Sequence, residues 1–302
     1  FRLFIEYIKA FFYVRKNYGK VDVVHSNIII PISIIAVFIK YFFRVPFVIT
    51  EHWTGYLSKD PYKLSIFEKF FTKFVITEAT CVTTVSNDLK MALRQLNKNK
   101  PINIVPNVVN DVFFNLSCSK PKGKFNFIHI STLDDSQKNV KGIIDAFAEV
   151  YKSDSTVHLT FIGEKSNKVI EQYAFSKLNN KNIIDFKYNL SHNEIADFLS
   201  ESHVLVMFSN YESFSIVIAE ALASGIPVIA TNCGGLASDL DERYGIIIEP
   251  QNTIALKEAM FKIKHCYDSF DKNLLRNFAL QFTYEAVGKQ FFNIYKGITD
   301  NK

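Results

Sequence analysis

Short runs of β-branched and aromatic residues alternate with helical patterns along this 302-residue chain, and this alternation constrains the fold more than any other feature. Such runs predict strands at Val21–His25, Phe47–Thr50, Cys81–Val85, Asn103–Val105, Phe125–Ile130, Val157–Ile162, Ile183–Phe186, Val204–Phe208, Val228–Thr231 and Ile246–Ile248. Most of the segments between them carry apolar residues at three- and four-residue spacing, which predicts helices. Strands that are apolar throughout and alternate with helices indicate parallel sheets covered on both faces. We therefore predict an α/β fold of doubly wound parallel sheets.

One polar segment, Asn115–Lys124, interrupts this alternation and contains Pro121 and Gly123. It marks the expected boundary between two Rossmann-like domains, residues 1–115 and 116–281. The last helical pattern, residues 282–302, follows the last predicted strand by more than one helix. We expect this helix to cross back to the first domain.

The composition narrows the class of protein. Hydrophobic residues make up 48% of the chain and charged residues 22%, values typical of a globular domain. No apolar run approaches the roughly 20 residues that span a bilayer. The four cysteines form no CxxC pair and the seven histidines show no metal-binding spacing, so we expect neither a disulfide framework nor a metal site. These features predict a cytoplasmic protein.

Charge is spread unevenly along the chain. Residues 1–115 hold 15 lysines and arginines against eight acidic residues, a balance of +7, whereas the remainder carries −2. The helical pattern "IFEKFFTKF" combines a phenylalanine stripe with Lys69 and Lys73, and Lys63 precedes it. This basic, aromatic surface could rest on the inner face of a membrane, or the stripe could face the core while the lysines are solvated. We expect no nucleic-acid partner.

Polar and glycine residues follow the predicted strands of the second domain. Thr132 and Lys138 follow the first of these strands, and Gly163, Glu212 and Gly234 follow three others. Ligands of open parallel sheets bind beyond the carboxyl ends of the strands, so these loops should open onto one crevice. The first domain offers a matching set of loops at 26–27, 51–56 and 86–88. Two such crevices suggest an enzyme with two substrates.

The chemistry of the second crevice suits a nucleoside diphosphate. The helices that begin after Ser215 and Lys138 would present free backbone N–H groups to anionic oxygens, and Lys138 would add a positive charge. Glu220 falls about two turns into its helix, where its carboxylate can accept hydrogen bonds from a vicinal diol such as a ribose. The alternatives are a buried salt bridge for Glu220 and a solvated loop acid for Glu212.

The segment "NYESFSIVIAEALASGIPVIATNCGG", Asn210–Gly235, resembles the signature of family-4 glycosyltransferases, which are retaining enzymes of the GT-B fold. That signature contains two glutamates separated by seven residues, an alanine-rich helix, Gly-x-Pro and a Gly-Gly turn. Further similar segments lie at 22–27, 45–52, 81–90, 104–111, 138–147 and 282–295. The resemblance therefore covers most of the chain and implies two Rossmann-like domains facing across a cleft.

The resemblance implies a role for each matching residue. Glu220 would bind the ribose hydroxyls, and Lys138 would neutralise the diphosphate. Glu212 would contact the transferred sugar, together with the backbone of Phe214, Ser215 and Ile216. His52 would lie near the sugar and the acceptor. Glu212 and His52 are thus the predicted catalytic residues, and the donor-binding set is Lys138, Phe214, Ser215, Ile216, Glu220, Gly163 and Thr132.

The sequence departs from the family pattern at specific positions. Thr132 stands where the family has an arginine, which leaves Lys141 as the nearest candidate for a second cation. Ser215 replaces the usual glycine, and Ser238 stands where a glutamate is expected. The sequence opens on a segment that resembles a later helix of the first domain. The first strand of the fold and its glycine-rich loop do not precede it, so we expect the first domain to be incomplete.

The resemblance implies a retaining hexosyltransferase that moves a sugar from a nucleotide-sugar donor to a hydroxyl of a glycan or lipid-linked acceptor, in the synthesis of bacterial surface polysaccharide. No metal or other cofactor is required by this chemistry. No acid is an obvious nucleophile, which favours attack from the same face with the leaving phosphate as base. The alternatives are an isomerase or phosphorylase on the same architecture, and a non-catalytic nucleotide-sugar-binding protein.

Overall fold

The computed structural model describes residues 2–116, 123–178 and 181–300. Each predicted strand is present there, with ends that differ by at most three residues from the predicted ones. All strand pairs are parallel, and the chain divides into two compact units, residues 1–106 with 287–302 and residues 107–286. The predicted fold class, two α/β units with parallel sheets, is confirmed.

The first unit contains a four-stranded sheet in the order β1-β2-β3-β4. Its elements are α1 (Arg2–Tyr18), β1 (Val24–Asn27), α2 (Ser33–Phe43), β2 (Phe47–Glu51), α3 (Ile66–Glu78), β3 (Cys81–Thr84), α4 (Asn87–Leu96) and β4 (Ile102–Ile104). The central strand β2 is buried at every position, as expected for a strand covered on both faces.

The second unit contains a six-stranded sheet in the order β10-β9-β8-β5-β6-β7. Its strands are β5 (Phe125–Ser131), β6 (Val157–Gly163), β7 (Ile184–Tyr188), β8 (Val204–Met207), β9 (Val228–Thr231) and β10 (Gly245–Ile248). Its helices are α5 (Asp135–Lys138), α6 (Val140–Ser153), α7 (Lys168–Lys177), α8 (His192–Ser200), α9 (Ile216–Ala223), α10 (Thr253–Cys266) and α11 (Lys272–Ala279), and α12 (Tyr284–Asp300) closes the chain. The order reverses between β5 and β8, which is the topological switch point of a doubly wound sheet.

The core of the second unit lies between this sheet and its helices. Phe127, Phe147 and Phe161 are fully buried there, and Ile143 and Ile263 pack into the same cluster from α6 and α10. Burial of this apolar surface is what holds the helices against the sheet, since removing apolar side chains from water contributes about 25 cal/mol per Å². The core thereby fixes the strand ends, and hence the loops that follow them.

The chain leaves the first unit after Pro106, ahead of the boundary that we expected at residues 115 and 116. Val109 donates its N–H to the Phe282 carbonyl at 2.8 Å and Phe113 is fully buried, so both residues belong to the second unit. Residues 117–122 of the predicted linker lie outside the described residues.

The closing helix α12 returns to the first unit from Val287 onward. There the Tyr295 hydroxyl lies 2.5 Å from His25 Nδ1 on β1, and the other ring nitrogen of His25 lies 2.7 Å from Thr50 Oγ1 on β2. Burial lowers the pKa of His25, and nearby His52 adds to this effect. A side-chain contact therefore joins the last helix of the chain to two strands of the first sheet.

Helix α3 presents its phenylalanine stripe to solvent. Phe67 and Phe70 are exposed, whereas Thr72, Val75 and Ile76 form the buried face. The interpretation of the stripe as core-facing is therefore wrong. Within the described ranges, no helix has both the length and the apolar character needed to cross a bilayer.

Candidate functional site

The polar residues singled out in the second unit lie at the carboxyl ends of its parallel strands. Thr132 follows β5, Gly163 ends β6 and Glu212 follows β8. The ladders β5–β6 and β5–β8 bring these three strand ends to one edge of the sheet. The edge includes the switch point between β5 and β8, where ligands of doubly wound sheets bind.

Lys138 and Glu212 form a buried ion pair at this edge. Lys138 Nζ lies 2.5 Å from Glu212 Oε1, and their side chains are 13% and 8% exposed. The Ser209 hydroxyl donates to the same carboxylate oxygen at 2.8 Å. Glu212 is therefore not the solvated loop acid that was the alternative, and the charges of the two residues compensate each other.

Hydrogen bonds join the short helix α5 to the loop after β8 and so position Lys138. Asn210 donates its backbone N–H to the Gln137 carbonyl at 2.7 Å and its side-chain amide to the Ser136 carbonyl at 2.8 Å. Gln137 Nε2 in turn donates to the Tyr211 carbonyl at 3.3 Å. Sequence reasoning gave no role to Ser209, Gln137 or Asn210. Gln137 and Asn210 lie some 70 positions apart, and nothing in the sequence indicates that they pair.

Glu220 is a buried carboxylate on α9. It is 8% exposed, and within the described residues its side chain has no hydrogen bond or ion pair. Burial raises its pKa to about 7, because the charged form is deprived of water. No lysine among the described residues forms the salt bridge that was the alternative role for this carboxylate. Because no group of the described residues occupies its oxygens, this carboxylate is available to accept hydrogen bonds from a ligand.

Ser215 begins α9 in the left-handed region of backbone space, with φ 65°. Its hydroxyl oxygen is buried and has no hydrogen-bond partner in the described part of the chain. Ile216, the first residue of the helix, is half-buried and follows directly. The first amides of a helix lack acceptors within that helix, so this turn offers N–H groups to an anion.

Gly235, the second of the paired glycines, packs against the backbone of this turn. A Cβ on Gly235 would lie 2.9 Å from the Phe214 carbonyl oxygen, which is too close for any side chain. The Phe214 carbonyl also accepts the Leu236 N–H at 2.9 Å, and its ring packs on Phe282. Gly235 therefore allows close contact between two backbone segments, and Phe214 is a buried anchor whose backbone carries the turn.

The loop after β5 is held by a fully buried histidine. His129 Nδ1 lies 2.7 Å from the Val206 carbonyl, which can only accept, so this nitrogen carries the proton. Burial lowers the pKa of His129 to about 4, and the neutral ring can therefore accept the Ser131 hydroxyl at Nε2. The Ser131 oxygen accepts the Leu133 N–H at 2.9 Å and fixes the loop that carries the exposed Thr132.

Gly163 makes room for this same loop. A Cβ on Gly163 would lie 2.7 Å from Leu133 Cδ1, so the missing side chain is needed for Leu133 to pack. Its contact with a ligand stays a prediction. Lys141, the candidate second cation, lies 3.4 Å from Asp135 Oδ2 and above the Tyr173 ring, and its charge is already partly compensated.

The predicted residue of the first unit, His52, follows strand β2. Its Nε2 lies 3.1 Å from Asn27 Oδ1, at the end of the neighbouring strand β1. Each unit thus brings its own predicted residues to the carboxyl ends of its strands. The catalytic and donor-binding roles of these residues stay predictions.

Glu51 is a buried group of the first unit to which sequence reasoning gave no role. It is fully buried, and its two carboxylate oxygens accept backbone N–H groups from His52, Trp53 and Ile29 at 2.7–2.8 Å. Burial raises its pKa against the opposing effect of these bonds. Glu51 joins the loop after β1 to the loop after β2, and so positions Asn27 and His52.

Comparison with known proteins identifies the family. The chain matches the glycosyl transferases group 1 family over residues 117–278 and Glycosyltransferase Family 4 over residues 1–113. Among curated proteins, it is 27% identical over 285 residues to an uncharacterized glycosyltransferase of Methanocaldococcus jannaschii, covering 93% of this chain and 76% of that protein. It is 26% identical over 292 residues to N-acetyl-alpha-D-glucosaminyl L-malate synthase of Bacillus anthracis, covering 91% and 74%.

Solved structures share its fold. Anabaena HepE in complex with UDP superposes with a TM-score of 0.82 at 17% identity, over 96% of this chain and 81% of that one. A further structure of HepE, with a TM-score of 0.77, is a complex with UDP-glucose. At such identity the likeness shows the fold, which is that of the GT-B glycosyltransferases. With the family match spanning more than half of its length, the chain belongs to the glycosyl transferases group 1 and is a glycosyltransferase of the GT-B fold.

Proposed function

We propose that this protein transfers a hexosyl group from a nucleotide-sugar donor to an acceptor hydroxyl, with retention of anomeric configuration. The observation that carries the proposal is the buried carboxylate of Glu220, which has no partner among the described residues. It lies in the same unit as the Lys138–Glu212 pair and on the helix that the Ser215 turn begins. The HepE structures with UDP and UDP-glucose support a nucleotide-sugar donor.

In this proposal Glu220 accepts hydrogen bonds from the ribose hydroxyls. Two hydroxyl donors would replace the water that burial has removed from the carboxylate, so donor binding should favour the ionised form. The amides at the start of α9 and the Lys138 ammonium receive the diphosphate. An ammonium group has three N–H donors, so Lys138 can hold a phosphate oxygen without releasing Glu212.

Glu212 has two functions in the proposed reaction. It orients Lys138 through the 2.5 Å contact, and it remains close to the transferred sugar together with the backbone of Phe214, Ser215 and Ile216. Its negative charge would stabilise the oxocarbenium character that develops as the sugar leaves. His52 of the first unit is proposed to contact the sugar and the acceptor.

The proposed chemistry exchanges one bond at the anomeric carbon. The bond from that carbon to the diphosphate oxygen breaks, and its electron pair leaves with the diphosphate. A bond from the acceptor oxygen forms on the same face, and the acceptor proton passes to the leaving phosphate oxygen. Lys138 and the α9 amides stabilise the charge on the leaving group, so this route requires no metal ion.

The acceptor in this proposal is a hydroxyl of a glycan or lipid-linked carrier in bacterial surface polysaccharide synthesis. Its support is the family resemblance of the sequence together with the apolar, basic surface of the first unit.

Isothermal titration with a panel of sugar nucleotides and free nucleoside diphosphates tests the donor site. We expect one nucleotide series to bind the wild-type protein, and Glu220→Gln to lose about 2 kcal/mol of binding free energy, since hydrogen bonds to a buried charge are removed. Lys138→Met should weaken the binding of ligands that contain a diphosphate. The exposed control Lys152→Met should bind them with the affinity of the wild type. Unchanged affinity of Glu220→Gln would contradict the proposed site, and proton NMR of the product anomer tests retention.

A further inference from the structure

We propose that helix α3 is a membrane-docking surface that lays its apolar stripe on an anionic lipid bilayer. The stripe consists of Ile66, Phe67, Phe70, Phe71 and Phe74. This inference goes beyond sugar transfer, because it concerns the surface on which the protein works rather than its donor site. It needs no residue of the second unit.

The stripe is exposed to a degree that packing does not explain. Ile66, Phe67 and Phe70 are 84%, 76% and 65% exposed, and the two other members are exposed by more than 40%. Soluble monomers rarely expose contiguous apolar patches larger than a few hundred Å², and larger patches mark interaction sites. The rings of Phe70 and Phe71 also contact each other, with centroids 5.6 Å apart, so the stripe is continuous.

The packing of α3 fixes the direction of the stripe. Thr72, Val75 and Ile76 are fully buried on one side of the helix. At about 3.6 residues per turn, Phe70 lies on the side opposite these three residues. A capping box of Ser65 and Glu68 holds the start of the helix in place. The stripe therefore projects outward from a helix that is anchored in the first unit.

Positive charge flanks the stripe. Lys69 and Lys73 are exposed and lie beside it on the helix surface, and among the described residues neither ammonium group has an ion-pair partner. The acids of the helix are engaged elsewhere. Glu68 bonds with Tyr62 and Ser65, and Glu78 forms an ion pair with Lys40 at 2.9 Å. The surface that α3 offers to a partner is thus apolar and cationic.

These features favour a bilayer over a protein groove as the partner. An interfacial helix buries an apolar face to the depth of the headgroups and places lysines at the anionic surface, where their charges are attracted to the lipid. Lysine side chains can extend from a buried helix face to the headgroup layer. Residues 1–115 carry a balance of +7, so the part of the chain that contains α3 is positive overall, which also favours anionic lipid.

Cosedimentation with vesicles of phosphatidylcholine, with and without phosphatidylglycerol, tests the proposal on the full chain. We expect binding to the anionic vesicles, and a loss of at least about ten-fold for F67Q/F70Q, because this variant removes two apolar side chains from the surface that enters the lipid. K69E/K73E should lose a similar factor at low salt and less at high salt, since salt screens the attraction. Glutamine at these exposed helix positions keeps the fold, which circular dichroism verifies.

Matched controls lie on α12. Y284Q/F292Q removes two aromatic side chains that are 56% and 62% exposed, and K289E/K296E makes the same charge change outside α3. Both controls should bind vesicles like the wild type. A Phe70→Trp variant gives a second readout, since its fluorescence should be quenched by brominated lipid more strongly than that of Trp53 alone.

Two results would overturn the proposal. One is that the wild type and F67Q/F70Q bind vesicles equally well, or that neither binds them. The other is a wild-type protein that does not bind vesicles but forms a concentration-dependent dimer, measured by light scattering. In that case F67Q/F70Q would be monomeric. Donor affinity of F67Q/F70Q in solution should equal that of the wild type, so failure here is distinguishable from failure of the proposed donor site.

Discussion

At the scale of single residues, Glu220 shows how a binding group is kept ready at a cost to stability. Its carboxylate is buried, has no partner in the described part of the chain, and has a pKa raised to about 7. The unfolded chain ionises near pH 4.5, so stability is fully present below that value and falls as the pH rises toward 7. A residue selected for the fold alone would not carry this penalty.

We therefore expect Glu220→Gln to be more stable than the wild type at pH 8, by up to about 3 kcal/mol, and equally stable at pH 4. Urea unfolding at the two pH values measures this difference. The same variant should bind the donor more weakly, so stability and binding change in opposite directions. A Glu220→Gln protein that is less stable at pH 8 would contradict the assignment of an unpartnered carboxylate.

The backbone of Ser215 is a second place where stability is lowered, because this non-glycine residue adopts a left-handed φ of 65°. Ser215→Gly and Ser215→Ala both remove the hydroxyl, but only glycine adopts this conformation freely. We expect the glycine variant to exceed the alanine variant by about 1 kcal/mol in unfolding free energy. Thermal or urea unfolding of the two variants checks this. Equal stabilities would show that the backbone at this turn carries no strain.

At the scale of elements, the junction between β5 and β8 depends on a side chain. In the ladder between these strands, Phe127 pairs with Val204 and Ile128 pairs with Leu205. The next contact is the hydrogen bond from the His129 ring to the Val206 carbonyl. His129 therefore extends the connection between the strands to the edge where Lys138 and Glu212 lie. Protonation would require His129 Nε2 to donate, although it now accepts the Ser131 hydroxyl.

The pH dependence of stability follows from this junction. The pKa of His129 is about 4 in the folded protein and 6.5 in the unfolded chain, so its contribution is complete above pH 6.5 and is lost as the pH falls toward 4. We expect His129 to account for up to about 3 kcal/mol of the stability lost between these values. Comparing urea unfolding of the wild type and His129→Gln at pH 7 and pH 5 measures it. The exposed His265→Gln is the control, and a wild-type pH dependence in His129→Gln would rule out this role.

At the scale of the whole molecule, the two units divide the proposed work. The second unit contains every residue of the predicted donor set, whereas the first contains His52, the loops joined by Glu51 and the exposed face of α3. The two family matches, residues 1–113 and 117–278, follow nearly the same division. The closing helix α12 is the exception, since most of it belongs to the first unit although it follows the second in sequence.

This division predicts where a nucleotide protects the backbone. Ligand at about 100 times its dissociation constant stabilises the bound state by about 2.7 kcal/mol. We expect the nucleoside diphosphate that binds in the titration to slow hydrogen exchange in peptides covering 129–142 and 208–222, and to leave peptides covering 66–78 unchanged. Mass spectrometry of exchanged peptides measures this, with Glu220→Gln as the variant that loses the protection. Slowed exchange confined to the first unit would contradict the assignment.

The amino-acid sequence by itself determined the parallel α/β class, the positions of the strands and the placement of Glu212, Glu220 and Lys138. These properties depend on local chemistry, because short apolar runs rich in β-branched and aromatic residues and bounded by turn residues are typical of buried strands. The spacing of the two glutamates likewise places Glu212 just before one helix and Glu220 in its interior.

Only the tertiary structure decided the surroundings of these residues. Periodicity places the phenylalanines on one face of α3, but the packing of Val75 and Ile76 decides that this face meets solvent. The pairing of Lys138 with Glu212 and the bond from the Ile29 N–H to Glu51 join segments distant in sequence. Burial, pairing and pKa are properties of neighbours in space, and which segments become neighbours is set by the sheet order and by the loops at its edge.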